Sequence, residues 1–297
     1  MPASAALGWS IPTHQATGAI AYTDLAARDT QALAELLAIG RALPFYPLLE
    51  RATAGLPAEA SNRALFEFMA RWPDDIRGGP EDHPDWHYEL RVVSGRTWLW
   101  PFRNGNATYG FSLNYARLAN PCAPAAERAR GLAWLIHLVG DVQQPLHAGH
   151  QMTATFPQTD RAGSLSYVRR EPGGASMPMH VYWDDIFDNA RGGALPERLT
   201  HQWPRTRLPE LNRPAPPAPV FASFLDESML LAQRVAYQGT FLNASADPAK
   251  APVATGRENR VAAALAGRRV ALGGYRIADM LTSALAEAKT KKGSCPA

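Results

Sequence analysis

The chain has 297 residues, of which 46% are hydrophobic and 19% charged, so it can bury a large core and is not an intrinsically disordered protein. Its uninterrupted apolar stretches span only a few residues, which excludes a membrane-spanning helix of ordinary length. The net charge of +3 tolerates an anionic substrate but does not by itself indicate a nucleic-acid-binding protein.

The first eight residues, M-P-A-S-A-A-L-G, precede Trp9 and lack both the basic region and the apolar region of a signal peptide. Ala6 and Gly8 are nevertheless small residues at the two positions before Trp9 that a signal peptidase reads. Two interpretations follow from the residues alone: an ordinary cytosolic N-terminus, or the end of a signal peptide whose start lies upstream.

Apolar residues recur at intervals of three and four along most of the chain, which predicts helices. Segments with strand-like alternation are scarce, and the best candidate is a short hairpin arm at Ser164–Arg169. The stretch R-P-A-P-P-A at 213–218 resembles a linker, but too few residues follow it for a second core. The pattern predicts a single all-α domain with an extended loop over its surface. The predicted helices are Thr13–Ala27, Thr30–Arg41, Ala58–Arg71, Asn106–Ala119, Pro124–Val142, Met179–Asp188, Phe221–Tyr237 and Val261–Ala288.

The segment W-L-I-H-L-V-G-D-V-Q-Q-P-L-H, which ends at His147, contains the clearest functional pattern. His137 and Asp141 are four residues apart, so they lie on one face of a helix, close enough to bind one metal ion. Pro145 interrupts the helix and places His147 beyond its end.

A second pair with the same spacing, His180 and Asp184, lies in M-H-V-Y-W-D-D. One such pair is more often a hydrogen-bonded pair within a helix than a metal site. Two pairs together with His147 favour metal binding. Asp74, Asp75, His87 and His14 are further candidates, although spacing alone does not bring them to one place.

Taken in order, these segments resemble the S1/P1 nuclease family of zinc-dependent nucleases that prefer single strands. The resemblance covers almost the whole chain. It rests on Trp9 and His14, W-P-D-D-I-R at Trp72–Arg77, W-H-Y at Trp86–Tyr88, H-L-V-G-D-V-Q-Q-P-L-H at His137–His147, H-V-Y-W-D at His180–Asp184, and G-G-Y-R-I-A-D-M-L at Gly273–Leu281.

The resemblance implies an all-α fold of the phospholipase C / P1 nuclease type, with three zinc ions in one cleft. The histidines without a family role are expected on the surface; they are His83, His150 and His201. The implied ligand sets are Asp74, His87, His137 and Asp141 for one ion, His147, His180 and Asp184 for the second, and His14, Asp141 and the amino and carbonyl groups of Trp9 for the third.

A free amino group on Trp9 requires that residues 1–8 be removed. The resemblance therefore implies that these residues are the remnant of a signal peptide, that the nuclease-like domain spans residues 9–297, and that the protein is periplasmic or secreted.

The implied activity is hydrolysis of single-stranded RNA or DNA to 5′-nucleotides, with 3′-nucleotidase activity besides, by a monomer. A water molecule activated by the ions would be the nucleophile. Asp74 would orient this water, the guanidinium of Arg77 would stabilise charge in the transition state, and Tyr88 would stack on a nucleobase.

Three positions depart from the family pattern. Leu90 stands where the family has a base-reading carboxylate, and the neighbouring Glu89 is expected to point elsewhere. Arg161–Ser164 reads R-A-G-S in place of a Gly-Gly-Asn stretch, and Pro178 replaces an asparagine. The ligand set is therefore expected to be intact and the substrate wall altered.

Two other functions stay open. Zinc-dependent phospholipases C resemble the chain in their ligand set, but their last ligand is typically Glu where this chain has Asp184, and they lack the Q-P-L-H string. A zinc-binding protein without nuclease activity is the other alternative, against which Arg77 argues. Cys122 and Cys295 allow at most one disulfide, which would tie the C-terminal tail to the body.

Overall fold

The computed structural model describes residues 8–95, 104–188, 194–212, 217–291 and 295, and within them ten α-helices and five short β-strands. None of the described helices is long and apolar enough to cross a membrane. The helices are α1 (Ile11–Arg28), α2 (Thr30–Gly40), α3 (Tyr46–Ala52), α4 (Ala58–Asp75), α5 (Ala107–Leu118), α6 (Ala125–Asp141), α7 (Met179–Asp184), α8 (Leu195–Gln202), α9 (Pro217–Leu231) and α10 (Gly256–Lys291). The strands are β1 (Glu89–Gly95), β2 (Asn104–Gly105), β3 (Gly149–Met152), β4 (Tyr167–Arg169) and β5 (Ser176–Pro178).

The core is built around α1, which packs against α4 on one side and α10 on the other, while α6 packs against α4 and α5. Two glycines allow the close approach of these helices. A Cβ on Gly18 would lie 2.5 Å from the carbonyl oxygen of Phe66 in α4, and one on Gly274 of α10 would lie 2.5 Å from Ile20. The second half of α6 is buried all round, which explains its nearly continuous apolar sequence.

The predicted helices are confirmed, with corrections at their ends. The helix predicted to end at Arg71 continues through Pro73 as α4, which places Asp74 in its last turn. The helix predicted as Met179–Asp188 ends at Asp184, because Asp185 leaves the helical conformation. α9 ends at Leu231, where a π-helical turn replaces the predicted continuation to Tyr237. Of the linker-like stretch, residues 213–216 lie outside the described residues, and α9 begins at Pro217.

Helices α3 and α8 were not predicted, and neither was a three-stranded sheet. In that sheet β1 pairs antiparallel with β2 and parallel with β3, in the register Arg91↔Gly149. β2 and β3 are too short to show a clear alternation of apolar and polar residues, and the alternation in β1 breaks at Val92 and Val93, where its register with β3 shifts.

The predicted hairpin arm is confirmed in part, since β4 covers only Tyr167–Arg169 and pairs antiparallel with β5. Isolated bridges from Tyr167 to Ser245 and from Arg169 to Val253 tie this hairpin to the segment between α9 and α10.

Cys122 and Cys295 form a disulfide, with their Cα atoms 5.4 Å apart. The bond joins the turn before α6 to the residues after α10. It closes a loop that spans more than half of the chain, so it restricts the unfolded state strongly.

Candidate metal centre and substrate cleft

The three predicted ligand carboxylates all lie at the C-terminal ends of helices. Asp74 is in the last turn of α4, and Asp141 and Asp184 are the last residues of α6 and α7. A helix C-terminus carries partial negative charge, which disfavours a carboxylate and favours a cation nearby. Unpaired carboxylates at these positions would be costly, so their placement suits a site that binds cations.

One group of candidate ligands gathers around a single oxygen of Asp141. The Oδ2 atom lies 2.9 Å from Nε2 of His137 and 3.1 Å from Nδ1 of His87. Asp74 stands at the edge of this group, with its Oδ1 3.7 Å from Nδ1 of His87. Both histidines and Asp141 are fully buried.

The other oxygen of Asp141 faces a second group. Nε2 of His14 lies 3.3 Å from Oδ1 of Asp141 and 3.2 Å from Oδ2 of Asp74. The two oxygens of Asp141 therefore point to two different clusters of ligands, as a bridging carboxylate between two metal ions would.

The third group consists of His147, His180 and Asp184, all buried. Nε2 of His180 is 3.4 Å from Oδ2 of Asp184. The other carboxylate oxygen accepts a hydrogen bond of 2.9 Å from the amide of Gln144. This positioning role of Gln144 was not predicted, although the residue belongs to the Q-Q-P-L-H string.

Backbone carbonyls orient several of the imidazole rings. The Nδ1 atoms of His137, His147 and His180 lie 2.6–2.8 Å from carbonyl oxygens of Ala70, His87 and Ala162. His137 and His180 thereby keep Nε2 near the carboxylates of Asp141 and Asp184, and His147 keeps a buried Nε2 that has no partner. Hydrogen bonding at the second ring nitrogen in this way is the usual support of a metal-binding histidine.

Buried polar atoms without hydrogen-bond partners occur in all three groups. They are both ring nitrogens of His14, the Nε2 atoms of His87, His147 and His180, Oδ1 of Asp141 and Oδ2 of Asp184. A buried polar atom without a partner costs about 1–3 kcal/mol, and metal ions bound here would provide partners for most of these seven atoms in one place. Neutral imidazole nitrogens and carboxylate oxygens are ligands that zinc accepts. The residues therefore fit the metal that the family resemblance implies.

Protonation of the histidines is consistent with this fit. Burial lowers the pKa of His87 and His147, and lowers that of His180 to about 3, so that these rings are neutral at pH 7, as metal ligands must be.

His14 behaves differently. Burial alone would lower its pKa, but the close carboxylates of Asp141 and Asp74, 3.3 and 3.2 Å from Nε2, raise it to about 10. Without metal, the imidazolium of His14 therefore neutralises part of the carboxylate charge. This proton stabilises the metal-free fold below the ordinary pKa of histidine, and the contribution is lost as the pH rises through about 10. A metal ion would take the place of the proton.

Trp9 is held in place beside the three groups of candidate metal ligands. Its side chain is buried and the indole Nε1 donates to the carbonyl of Gly140, one residue before Asp141. The next backbone N–H, of Ser10, donates to the carbonyl oxygen of Asp184. A Cβ on Gly8 would lie 3.1 Å from Oδ2 of Asp74 and 3.3 Å from Nε2 of His14. The backbone at Gly8 and Trp9 therefore reaches the second group of ligands.

Arg77 and Tyr88 both lie close to candidate metal ligands. The guanidinium of Arg77 donates to Oδ1 of Asp74, which holds it at the metal groups. Tyr88, half-buried, lines a cavity of about 670 Å³ that reaches His147 and His180 of the third group. The other lining residues are Leu90, Asn104, Thr159, Arg161, Ala162, Ser164, Leu165 and Tyr167.

The departures from the family pattern all lie around this cavity or next to it. Leu90 is buried in its wall, whereas the carboxylate of Glu89 accepts a hydrogen bond from the backbone N–H of Thr108. Arg161 and Ala162 have positive φ angles of 50° and 55°, so this stretch keeps a left-handed conformation with residues that adopt it less easily than glycine. Pro178 ends β5 and directly precedes α7.

The prediction that three histidines lie on the surface is correct only for His201, which is exposed. His150 is fully buried in β3, with its Nδ1 2.8 Å from the hydroxyl of Thr159. His83 is half-buried because its ring stacks on Trp86 at 3.7 Å between centroids. The prediction was wrong for these two because the absence of a ligand role says nothing about burial.

Comparison with known proteins agrees with this geometry. The model of the S1/P1 nuclease family matches residues 9–286. No curated protein matches the chain significantly. The matched residues span nearly the whole chain and include every candidate ligand described above. The chain therefore belongs to the S1/P1 nuclease family, a family of hydrolases that act on phosphodiester bonds.

Proposed function

We propose that the protein is a zinc-dependent phosphodiesterase that cleaves single-stranded RNA or DNA to 5′-nucleotides and also acts as a 3′-nucleotidase. The observation that carries this proposal is the convergence of buried, partnerless imidazole and carboxylate atoms, next to a cavity that two of these histidines, His147 and His180, line together with Tyr88. Membership of the nuclease family supplies the reaction class.

Three ions would be held by three ligand sets. When bound, the ions supply Lewis-acid chemistry, lowering the pKa of water towards ~7 and neutralising charge on the phosphate. The sets are Asp74, His87, His137 and Asp141; His147, His180 and Asp184; and His14, Asp141 and the amino and carbonyl groups of Trp9.

Asp74 and Arg77 would act together on the reacting phosphate. Asp74 is the most accessible of the three carboxylates, with a side chain about a quarter exposed, so it can orient the attacking water. Its Oδ1 also accepts from Arg77, which fixes the guanidinium fork at the mouth of the site. The fixed positive charge of Arg77 would stabilise the negative charge that develops on the phosphate oxygens.

Tyr88 would hold a base of the substrate by stacking, which is worth about 1–3 kcal/mol per base. The bases of a duplex are already stacked on their neighbours, so only a single strand can present a free face to this ring. A preference for single strands follows.

We also propose that Trp9 is the N-terminus of the functional protein, after removal of residues 1–8 in a secreted or periplasmic protein. The support is the approach of the Gly8 backbone to Asp74 and His14, where an amino group on Trp9 would serve as a ligand. Protein that begins at Trp9 should bind three zinc ions per chain, and protein that retains residues 1–8 only two, as measured by atomic emission. Equal zinc content in the two forms would contradict this assignment.

A substrate panel separates the proposed function from its alternatives. We expect hydrolysis of single-stranded RNA and DNA to 5′-phosphorylated products, slow cleavage of duplex DNA, and no cleavage of phosphatidylcholine vesicles. Release of phosphocholine without release of nucleotide would instead identify a phospholipase C. Zinc binding without hydrolysis of either substrate would identify a metal-binding protein.

A further inference from the structure

The charge on the lining of the cavity that reaches His147 and His180 is of one sign only, positive. Arg161 is its only charged lining residue among those the structure describes, and none of its described lining residues is Asp or Glu. The cavity therefore favours an anion beyond the position of the reacting phosphate.

The guanidinium of Arg161 is exposed and makes no ion pair within the described part of the chain. By contrast, Arg77 pairs with Asp74 and Arg130 pairs with Glu81. Arg161 lines the same cavity as Tyr88, the aromatic side chain proposed to hold the base. The positive charge of Arg161, which has no ion-pair partner among the described residues, is therefore available to a substrate whose base stacks on Tyr88.

The backbone of Arg161 is held in place at a conformational cost. Its φ of 50° and that of Ala162, 55°, lie in the left-handed region, which is strained in a residue other than glycine. Hydrogen bonds maintain this conformation. The backbone N–H of Arg161 donates to the hydroxyl of Thr159, which also contacts the buried His150, and the carbonyl of Ala162 contacts Nδ1 of His180. The position of Arg161 is thereby tied to that of a candidate metal ligand.

We propose that Arg161 forms a phosphate-binding subsite for the nucleotide next to the scissile phosphate, so that the protein prefers oligonucleotides to substrates with a single phosphate. The inference rests on the proposed function, since it presupposes a nucleic-acid substrate. A phosphate is favoured over a base edge because the guanidinium is uncompensated and open to solvent. At such a position, a phosphate with a full negative charge and two acceptor oxygens binds the guanidinium more strongly than the neutral acceptor on a base edge does.

The test compares the ratio of kcat/KM for an oligothymidylate of about ten nucleotides to that for dithymidine monophosphate, which contains only the scissile phosphate. Arg161→Gln is expected to lower this ratio roughly tenfold, the value of one charge-assisted contact, with little change for dithymidine monophosphate. The plot of log kcat/KM against log salt for the oligonucleotide should become shallower by about one unit.

Two variants make the result specific. Arg51→Gln removes the same charge from the exposed face of α3 and should leave the ratio unchanged. Arg161→Lys keeps a positive charge but loses the bidentate fork, so it should lower the ratio, though less than Arg161→Gln does. If Arg161→Gln does not fold or loses zinc, an unchanged ratio in Arg161→Lys would contradict the bidentate contact.

The outcomes are distinguishable. If the wild-type protein cleaves neither substrate, the proposed function has failed. If it cleaves both and Arg161→Gln lowers kcat/KM equally for both, or leaves the ratio unchanged, the subsite is wrong. A loss confined to one of the four homo-oligonucleotides would assign Arg161 to base recognition instead.

Discussion

Replacement of Asp141 by asparagine is expected to lower kcat/KM for a single-stranded oligonucleotide at least about 10³-fold, beyond the 10–100-fold typical of residues that only support a metal ligand. One oxygen of Asp141 faces His14 and the other faces His87 and His137. An amide keeps one acceptor, loses the negative charge and presents N–H groups to one of the two clusters. The change therefore affects two of the three groups at once.

Zinc content should fall with activity in this variant, from three ions per chain to about one, since His147, His180 and Asp184 form a separate group. Asp75→Asn is the matched control. Asp75 adjoins Asp74 in α4 but pairs with Arg71, away from the metal groups, and its replacement should change kcat/KM less than twofold. An Asp141→Asn protein with full zinc content and activity within tenfold of wild type would contradict the role of Asp141 as the bridge.

Removal of metal is expected to lower the melting temperature by roughly 20 °C. At free zinc a thousandfold above Kd, each ion that binds only the folded state contributes about 4 kcal/mol, so three ions contribute about 12 kcal/mol. For a domain of this size each kcal/mol corresponds to about 2 °C. The physical origin is the set of buried atoms of His14, Asp141 and Asp184 that have no partner without metal.

Differential scanning calorimetry before and after dialysis against a chelator measures this shift, and added zinc should restore the original transition. Asp141→Asn, with fewer ions to lose, should show a smaller shift. A wild-type shift of less than a few degrees would mean that the ligand cluster is stable without metal and that the three-ion assignment is wrong.

The local part of the site was predictable from the sequence because it depends on helix geometry. The spacing of His137 and Asp141, repeated in His180 and Asp184, places each pair on one helix face whatever the rest of the chain does. His147 follows from the break at Pro145. Predicting that each of these pairs could share a metal ion required only the period of the α-helix.

Convergence of distant segments could not be derived in this way. Asp74 reaches the site because α4 continues through Pro73, a residue that ordinarily ends a helix. His87 precedes β1, and that strand pairs with β3, directly after His147. Neither strand shows a sustained alternation of apolar and polar residues, so only the family resemblance brought these segments together.

The altered substrate wall was recognised in the sequence, but its consequence was not. R-A-G-S signalled a departure from the family pattern without indicating that Arg161 would enter the cavity. The orientation of Arg161 depends on its left-handed backbone and on the contact between Thr159 and the buried His150. His150 itself was assigned to the surface, because tertiary burial of a single polar residue has no local signature.

The most direct test of the central claim is the release of acid-soluble nucleotide from single-stranded RNA and DNA by protein whose first residue is Trp9, with and without a chelator. We expect release from both substrates, loss of release on chelation, and recovery when zinc is added back. A zinc-loaded sample that releases no nucleotide, or release that persists undiminished after the metal is removed, would contradict the assignment of the clustered histidines and carboxylates to phosphodiester hydrolysis.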